Sequence, residues 1–139
     1  MGNHPCGRYV RIFSGFVLLA GVFLPAACSP KAPAAHYAAR GIVVSIERGT
    51  DGLDRVTILH EAIPDFKNSE GQVTGMEPMA MTFTAAPGLS TANVAPQAKV
   101  AFHFEVHWKP VPQLRLIELT PLAAETPLDL GGYSVEMAE

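Results

Sequence analysis

The sequence predicts an all-β fold, a small five-stranded barrel of the OB type that follows an N-terminal export signal. Short segments rich in β-branched and aromatic residues alternate with segments rich in Gly, Pro and Asp, as in strands joined by turns. No long helical period interrupts this pattern. Five short strands are too few for a typical sandwich, whereas closing them into a barrel removes exposed sheet edges.

The first two strands are predicted at Gly41 to Glu47 and at Arg55 to His60, where β-branched and apolar residues dominate. Between them lie two glycines and two aspartates, a turn composition, so the strands should form a hairpin with His60 at its far end. The segment from Glu61 to Gly75 has neither helical nor strand periodicity. It is predicted to be a long surface loop.

The third and fifth strands are predicted at Met79 to Thr84 and at Leu114 to Leu119. The fourth strand is the clearest, because its apolar side chains alternate with more polar ones and can bury one face. These apolar residues are Val100, Phe102, Phe104, Val106 and Trp108. We expect Trp108 to pack in the core or at its rim, with a metal-capping role as the alternative.

Residues 1–27 are predicted to be a secretory signal peptide, of the lipoprotein type. Arg8 and Arg11 precede an uncharged stretch from Ile12 to Phe23, the order found in such signals. The stretch is shorter than the roughly 20 apolar residues that a membrane-spanning helix needs. The mature protein is therefore expected in the periplasm.

Cys28 follows small residues and resembles the processing site of a bacterial lipoprotein, in which it becomes the lipidated first residue and anchors the chain to the membrane. The position three before the cysteine is Pro25 instead of the usual aliphatic residue. The alternative is cleavage by the ordinary signal peptidase after Ala26 or Ala27. The compartment is the same in both cases.

The mature chain divides into a flexible tether at 28–38, a barrel domain at 39–121 and a loosely ordered acidic tail at 122–139. From Cys28 onward it holds 8 basic and 13 acidic residues, a net charge of −5. Because nucleic-acid binding requires a basic surface, this composition argues against it. The domain holds neither of the two cysteines, so any metal site must use other ligands.

Three methionines, Met76, Met79 and Met81, fall within six positions, and strand alternation puts the last two on one face. The thioether sulfur is soft and neutral, so it suits Cu(I), and Ag(I) as the alternative. Thioethers also survive an oxidising compartment, where thiols form disulfides. His60, if it lies across from the methionine strand, adds a nitrogen donor. The competing interpretation is that these methionines only fill the core.

Three blocks of the sequence, Val56 to Pro64, Met79 to Phe83 and Lys99 to Phe104, resemble in order those of the CusF-type periplasmic copper- and silver-binding proteins. The likeness covers about Gly41 to Leu119. It implies a five-stranded OB-type barrel that is periplasmic. It also implies metal ligands, which are His60, Met79 and Met81.

This chain departs from the family pattern at two places. Met76 stands where the family often has a tryptophan that caps the metal by a cation–π contact. Met76 is therefore expected either to supply a third thioether or to shield the metal as an apolar lid, with ligation preferred. The loop at 65–75 is longer than in the shortest family members, and insertions of this kind cost little stability.

The polar face of the fourth strand offers a different metal hypothesis, Zn²⁺ or Cu²⁺ held by His103, Glu105 and His107. Side chains on one face of a strand follow one another about 7 Å apart, which is too far for one ion without convergence. A solvated polar face is the preferred interpretation.

Together these observations predict a monomeric, non-enzymatic metallochaperone or buffer for Cu(I) in copper homeostasis, since no serine–histidine–acid or paired-carboxylate arrangement stands out. The resemblance implies delivery to a membrane-bound copper efflux system or to a cuproenzyme assembly factor. The alternative is a structural or interaction module of a cell-envelope complex without metal function.

Overall fold

The computed structural model describes residues 34–135. The predicted signal peptide, Cys28, residues 29–33 and residues 136–139 lie outside the described residues. Five strands are present in the described part: β1 (Ala35–Arg48), β2 (Asp54–His60), β3 (Met79–Ala85), β4 (Lys99–His107) and β5 (Gln113–Pro121). Within the same range, no helix is long and apolar enough to cross a membrane.

The strands close into a barrel in the order β1-β2-β3-β5-β4. All neighbours are antiparallel except β3 and β5, which run parallel and are paired at Thr84 with Arg115 and at Ala85 with Leu116. The arrangement is consistent with an OB-type barrel, so the predicted fold class is confirmed. Each predicted strand is present, with ends shifted by a few residues.

The first strand is twice as long as the sequence indicates and begins at Ala35, inside the segment predicted to be a tether. Its first half pairs with β4 and its second half with β2, and the halves meet at Gly41 and Ile42. An extra residue, Val44, interrupts the register with β2. Because such a bulge bends a strand, Val43 and Val44 are both buried.

The barrel interior is filled by the inward face of each strand, as the alternation in β4 predicts. Phe102 and Phe104 of β4 meet Phe83 of β3, with ring centroids 5.3 and 4.9 Å from the Phe83 centroid. Val56 and Ile58 of β2 are fully buried beside them. The inward face of β2 therefore continues to His60, two residues beyond Ile58.

The segment between β2 and β3 closes one end of the barrel, although its polar composition predicts a surface loop. Ile63 and Phe66 are buried. The Phe66 ring lies 5.0 Å from the ring of Tyr37, whose hydroxyl oxygen accepts a hydrogen bond from the backbone N–H of Lys67. Trp108 meets the same Phe66 ring edge-on at 6.1 Å and packs against the core, as predicted.

Residues 122–132, here called the C-terminal strap, are attached to the outside of the barrel at both ends. Near its start, the backbone N–H of Leu122 donates to the Lys99 carbonyl, and the Lys99 ammonium donates to the Thr126 carbonyl. Near its end, the backbone N–H of Asp129 donates to a carboxylate oxygen of Glu61 at 2.8 Å.

Leu59 is buried on the side of the barrel where the strap is attached. Leu59 alternates with inward-facing neighbours and so lies on the outer face, yet only 1% of it is exposed. Lys99, Ile42 and Leu59 form a row across three adjacent strands. The strap is hydrogen-bonded to Lys99 at one side of this row and to Glu61, two residues after Leu59, at the other.

Replacing Phe66 by Ala should lower the free energy of unfolding by about 3 kcal/mol, because it empties the apolar site that the β2–β3 segment fills. Val73, in the same segment, is 63% exposed, so Val73→Ala should change stability by less than about 0.5 kcal/mol. Urea unfolding of both variants checks this. Equal small effects would mean that the segment does not close the barrel.

Candidate metal centre

The three predicted ligands meet at one end of the β2–β3 pair. His60, the last residue of β2, is the direct cross-strand partner of Met79, the first residue of β3, and Ile58 is the partner of Met81. Directly opposed residues share a face of the sheet, and residues two apart along a strand do so as well. His60, Met79 and Met81 therefore lie on the inward face, at the end of the barrel where β2 ends and β3 begins.

The His60 imidazole is fully buried and has two polar contacts. Its Nδ1 lies 2.6 Å from the backbone carbonyl oxygen of Glu61, and its Nε2 lies 3.2 Å from the sulfur of Met81. A carbonyl can only accept, so Nδ1 carries the proton. In the neutral ring, Nε2 then points a lone pair at the thioether sulfur.

Burial lowers the pKa of His60, because removal from water disfavours the imidazolium; the bond to the Glu61 carbonyl opposes this shift. The neutral ring with an available Nε2 lone pair is accordingly the form that the fold favours near neutral pH. This is also the form in which histidine binds metals. The fold thus holds the imidazole in a form that is compatible with metal binding.

The two methionines of β3 differ in their access to solvent. Met81 is partly buried and packs against the core, whereas 46% of Met79 is exposed. The imidazole and the Met81 sulfur form the inner side of the site, and Met79 lies on its solvent side. If a cation were bound between these side chains, a ligand from solvent would approach it on the side of Met79.

Met76 is held by its backbone against the start of the β2–β3 segment. It forms an isolated bridge with Ile63, in which the N–H of each residue donates to the carbonyl of the other at 2.8 and 2.9 Å. Its side chain packs partly buried against the core. The described sulfur contact of His60 is with Met81, so ligation by Met76 stays a prediction.

Gly41 of β1 allows β2 to approach closely at His60, its cross-strand partner. A Cβ atom at position 41 would lie 2.9 Å from the His60 Cα and would also collide with the Leu59 carbonyl oxygen. Any side chain there would push the end of β2 outward. The sequence offers no signal for this role beyond the glycine itself.

Glu61 is a residue of the site that the sequence reasoning missed. Its carboxylate accepts two hydrogen bonds from the Arg40 guanidinium, at 2.8 and 3.0 Å, and a third from the backbone N–H of Asp129. Its own backbone N–H donates to the Arg40 carbonyl. The residue whose carbonyl holds the His60 ring is therefore fixed by contacts from two other parts of the chain.

The alternative site on β4 is not assembled. His103 pairs with Glu118 of β5 at 3.3 Å, while Glu105 accepts a hydrogen bond from His107 at 2.8 Å and lies 3.4 Å from Arg115. The bond from His107 holds the pKa of Glu105 below its usual value. Among residues 34–135, no group of three His, Cys, Asp or Glu side chains could hold a metal ion.

Comparison of the chain with protein-family models, with curated proteins and with solved structures finds no match. The likeness to the CusF-type pattern therefore rests on the residues themselves. The buried imidazole against a methionine sulfur is compatible with metal binding by His and Met.

The folded apo-protein should lose stability as the pH falls below about 6.5, the pKa of histidine in an unfolded chain. Because burial depresses the pKa of His60 in the folded state, the unfolded state binds more protons in this range, and protonation favours unfolding. One such group gives a slope of at most about 1.4 kcal/mol per pH unit.

Urea unfolding of the apo-protein between pH 8 and pH 5, alongside the His60→Gln variant, isolates this contribution. The free energy of unfolding of the wild-type protein minus that of His60→Gln should be constant above about pH 6.5 and decrease below it. Parallel profiles across the whole range would show that His60 titrates normally and is not held as the neutral ring.

Proposed function

We propose that this protein binds one Cu(I) or Ag(I) ion through His60, Met79 and Met81 and serves as a metal carrier or buffer in the cell envelope. The observation that carries the proposal is the buried His60 Nε2, 3.2 Å from the Met81 sulfur. With the bond lengths of tetrahedral Zn²⁺ as a guide, about 2.0 Å to nitrogen and about 2.3 Å to sulfur, an imidazole nitrogen and a sulfur that share one ion are about 3.5 Å apart. The apo-site needs little rearrangement to match that spacing.

The donor set selects the class of ion. Two thioethers and one imidazole are neutral and mostly soft, so they favour Cu(I) and Ag(I) over Mg²⁺ or Ca²⁺. The carboxylate of Glu61, the residue after His60, is already engaged by Arg40 and by the Asp129 N–H. It does not add a hard oxygen ligand to the site.

The exposure of Met79 supports a carrier over a permanent metal store. A carrier must release its ion to an acceptor, and exchange proceeds fastest where the acceptor's ligand can reach the metal. Met79, 46% exposed, provides that side, while His60 and Met81 provide the retaining side.

The cellular setting follows from the predicted leader and from the ligand chemistry. An exported chain with a lipid-modified Cys28 would work at the periplasmic face of a membrane, where thioethers persist better than thiols. The resemblance to CusF-type proteins supports a copper efflux system or a cuproenzyme assembly factor as the acceptor. No chemical step is needed for this role.

Titration of the full-length protein with Ag(I), followed by NMR of the methionine methyl groups and the His60 ring, tests the proposal. We expect saturation at one equivalent, with Met79, Met81 and His60 signals shifting together. Met81→Leu, which keeps the side-chain volume but removes the sulfur, should weaken binding by at least about tenfold, or about 1.4 kcal/mol.

Met76→Leu is the matched control, because it makes the same change three residues before the pair. If Met76→Leu loses as much Ag(I) affinity as Met81→Leu, Met76 is a ligand. If its Ag(I) affinity is unchanged, Met76 is an apolar lid. If wild type takes up no stoichiometric Ag(I), the interaction-module alternative replaces the carrier. Binding of Zn²⁺ that is lost in His103→Ala would identify the β4 site instead.

A further inference from the structure

We propose that Glu61 and the C-terminal strap position the metal-binding face, so that docking of the strap and binding of the metal stabilise each other. This inference rests on the proposed function and adds a regulatory element to the same site. The strap reaches the site at two points, one beside His60 and one beside Met79. Neither point is a metal ligand.

The first point is the Glu61 carboxylate. It receives the Asp129 N–H of the strap at 2.8 Å and the Arg40 guanidinium of β1 at 2.8 and 3.0 Å. With its side chain held from both sides, the Glu61 backbone is fixed, and its carbonyl accepts the proton of His60 Nδ1 at 2.6 Å. A bond of this kind fixes the tautomer and orientation of a metal-binding imidazole.

The second point is Pro78, the buried residue immediately before Met79. Gly131 of the strap lies against it, since a Cβ at that position would be 3.2 Å from Pro78 Cγ. Gly131 also has a positive φ of 59° and donates its N–H to the Asp129 side chain at 3.2 Å. The strap thus turns sharply where it packs against the start of β3.

Mutual stabilisation follows from the chemistry of the ring. When Nε2 binds a cation, Nδ1–H becomes a stronger donor, and its bond to the Glu61 carbonyl gains strength. A metal ion therefore favours the state in which Glu61 is held in place, which is the state with the strap docked. By linkage, the strap must favour the metal-bound state by the same factor.

The strap is suited to this role because few interactions hold it. It contains no strand pairing, and the described hydrogen bonds that attach it to the barrel are single ones at Leu122, Thr126 and Asp129. Segments attached in this way open more readily than barrel strands. An acceptor protein that displaces the strap would loosen both supports of the site at once and favour release of the ion.

Two matched pairs of full-length variants test the coupling. Gly131→Ala places a methyl group against Pro78, whereas Gly132→Ala, also at positive φ, meets nothing within 4 Å. Glu61→Ala removes the acceptor of the Asp129 N–H, whereas Glu61→Gln keeps an oxygen for it. We expect Gly131→Ala and Glu61→Ala to bind Ag(I) about tenfold more weakly than their partners.

Hydrogen exchange supplies a readout that a purely structural role would not move. Saturating Ag(I) should slow exchange of the Asp129 and Gly131 amides of the wild-type protein by about the same tenfold factor, and should not do so in Glu61→Ala. The wild-type measurement tests the coupling even if a variant fails to fold.

The outcomes separate the two proposals. If the protein binds one Ag(I) but both pairs bind it equally and strap exchange is unaffected, the coupling is wrong and the carrier function stands. If the wild-type protein binds no Ag(I), both the carrier function and the coupling are wrong.

Discussion

A fully buried imidazole at the end of a β-strand is the constraint on which this site depends. A neutral histidine has one donor and one acceptor, and each costs about 1–3 kcal/mol if buried without a partner. The donor of His60 is satisfied by the adjoining carbonyl of Glu61, but its acceptor faces the Met81 sulfur, which has no proton to donate. The described partner of the Nε2 lone pair is therefore a second electron-pair donor, and under the proposed function a soft cation bound by both atoms would satisfy both.

Several features of the fold can be understood as ways of holding that ring. Gly41 lets β1 approach β2 at the level of His60, and Arg40, its neighbour, reaches back to Glu61. The inward face of β2, apolar up to Ile58, ends in the ring, so the core packs against one side of the site. The same burial that stabilises the barrel also keeps the imidazole neutral.

The strands and the shared face of the two methionines could be predicted from sequence because both depend on local patterns. Alternation identifies β4, and strand spacing puts Met79 and Met81 on one face whatever surrounds them. The start of β1 could not be predicted in this way. Its alanine-rich residues from Ala35 have little intrinsic preference for a strand, and they form one because β4 offers an unpaired edge.

Other parts of the site depend on contacts between distant residues, which carry no local signal. Glu61 follows His60 directly, but its role is set by Arg40, 21 positions before it, and by Asp129, 68 positions after it. Phe66 is a single aromatic residue in a polar segment. Only the arrangement of Tyr37 and Trp108 at the barrel end makes it a core residue.

Under the proposed function, the location of the site at the end of the β2–β3 pair would reconcile retention of the ion with its release. In the interior, a soft ion would be held by buried donors on all sides, and exchange would require the barrel to open. On the outer surface, water and competing ligands would reach every donor. At the end of the β2–β3 pair, His60 and Met81 are backed by the core while Met79 remains accessible. Under the proposed function, an incoming ligand would therefore displace Met79 first, and the ion would leave while the barrel stays folded.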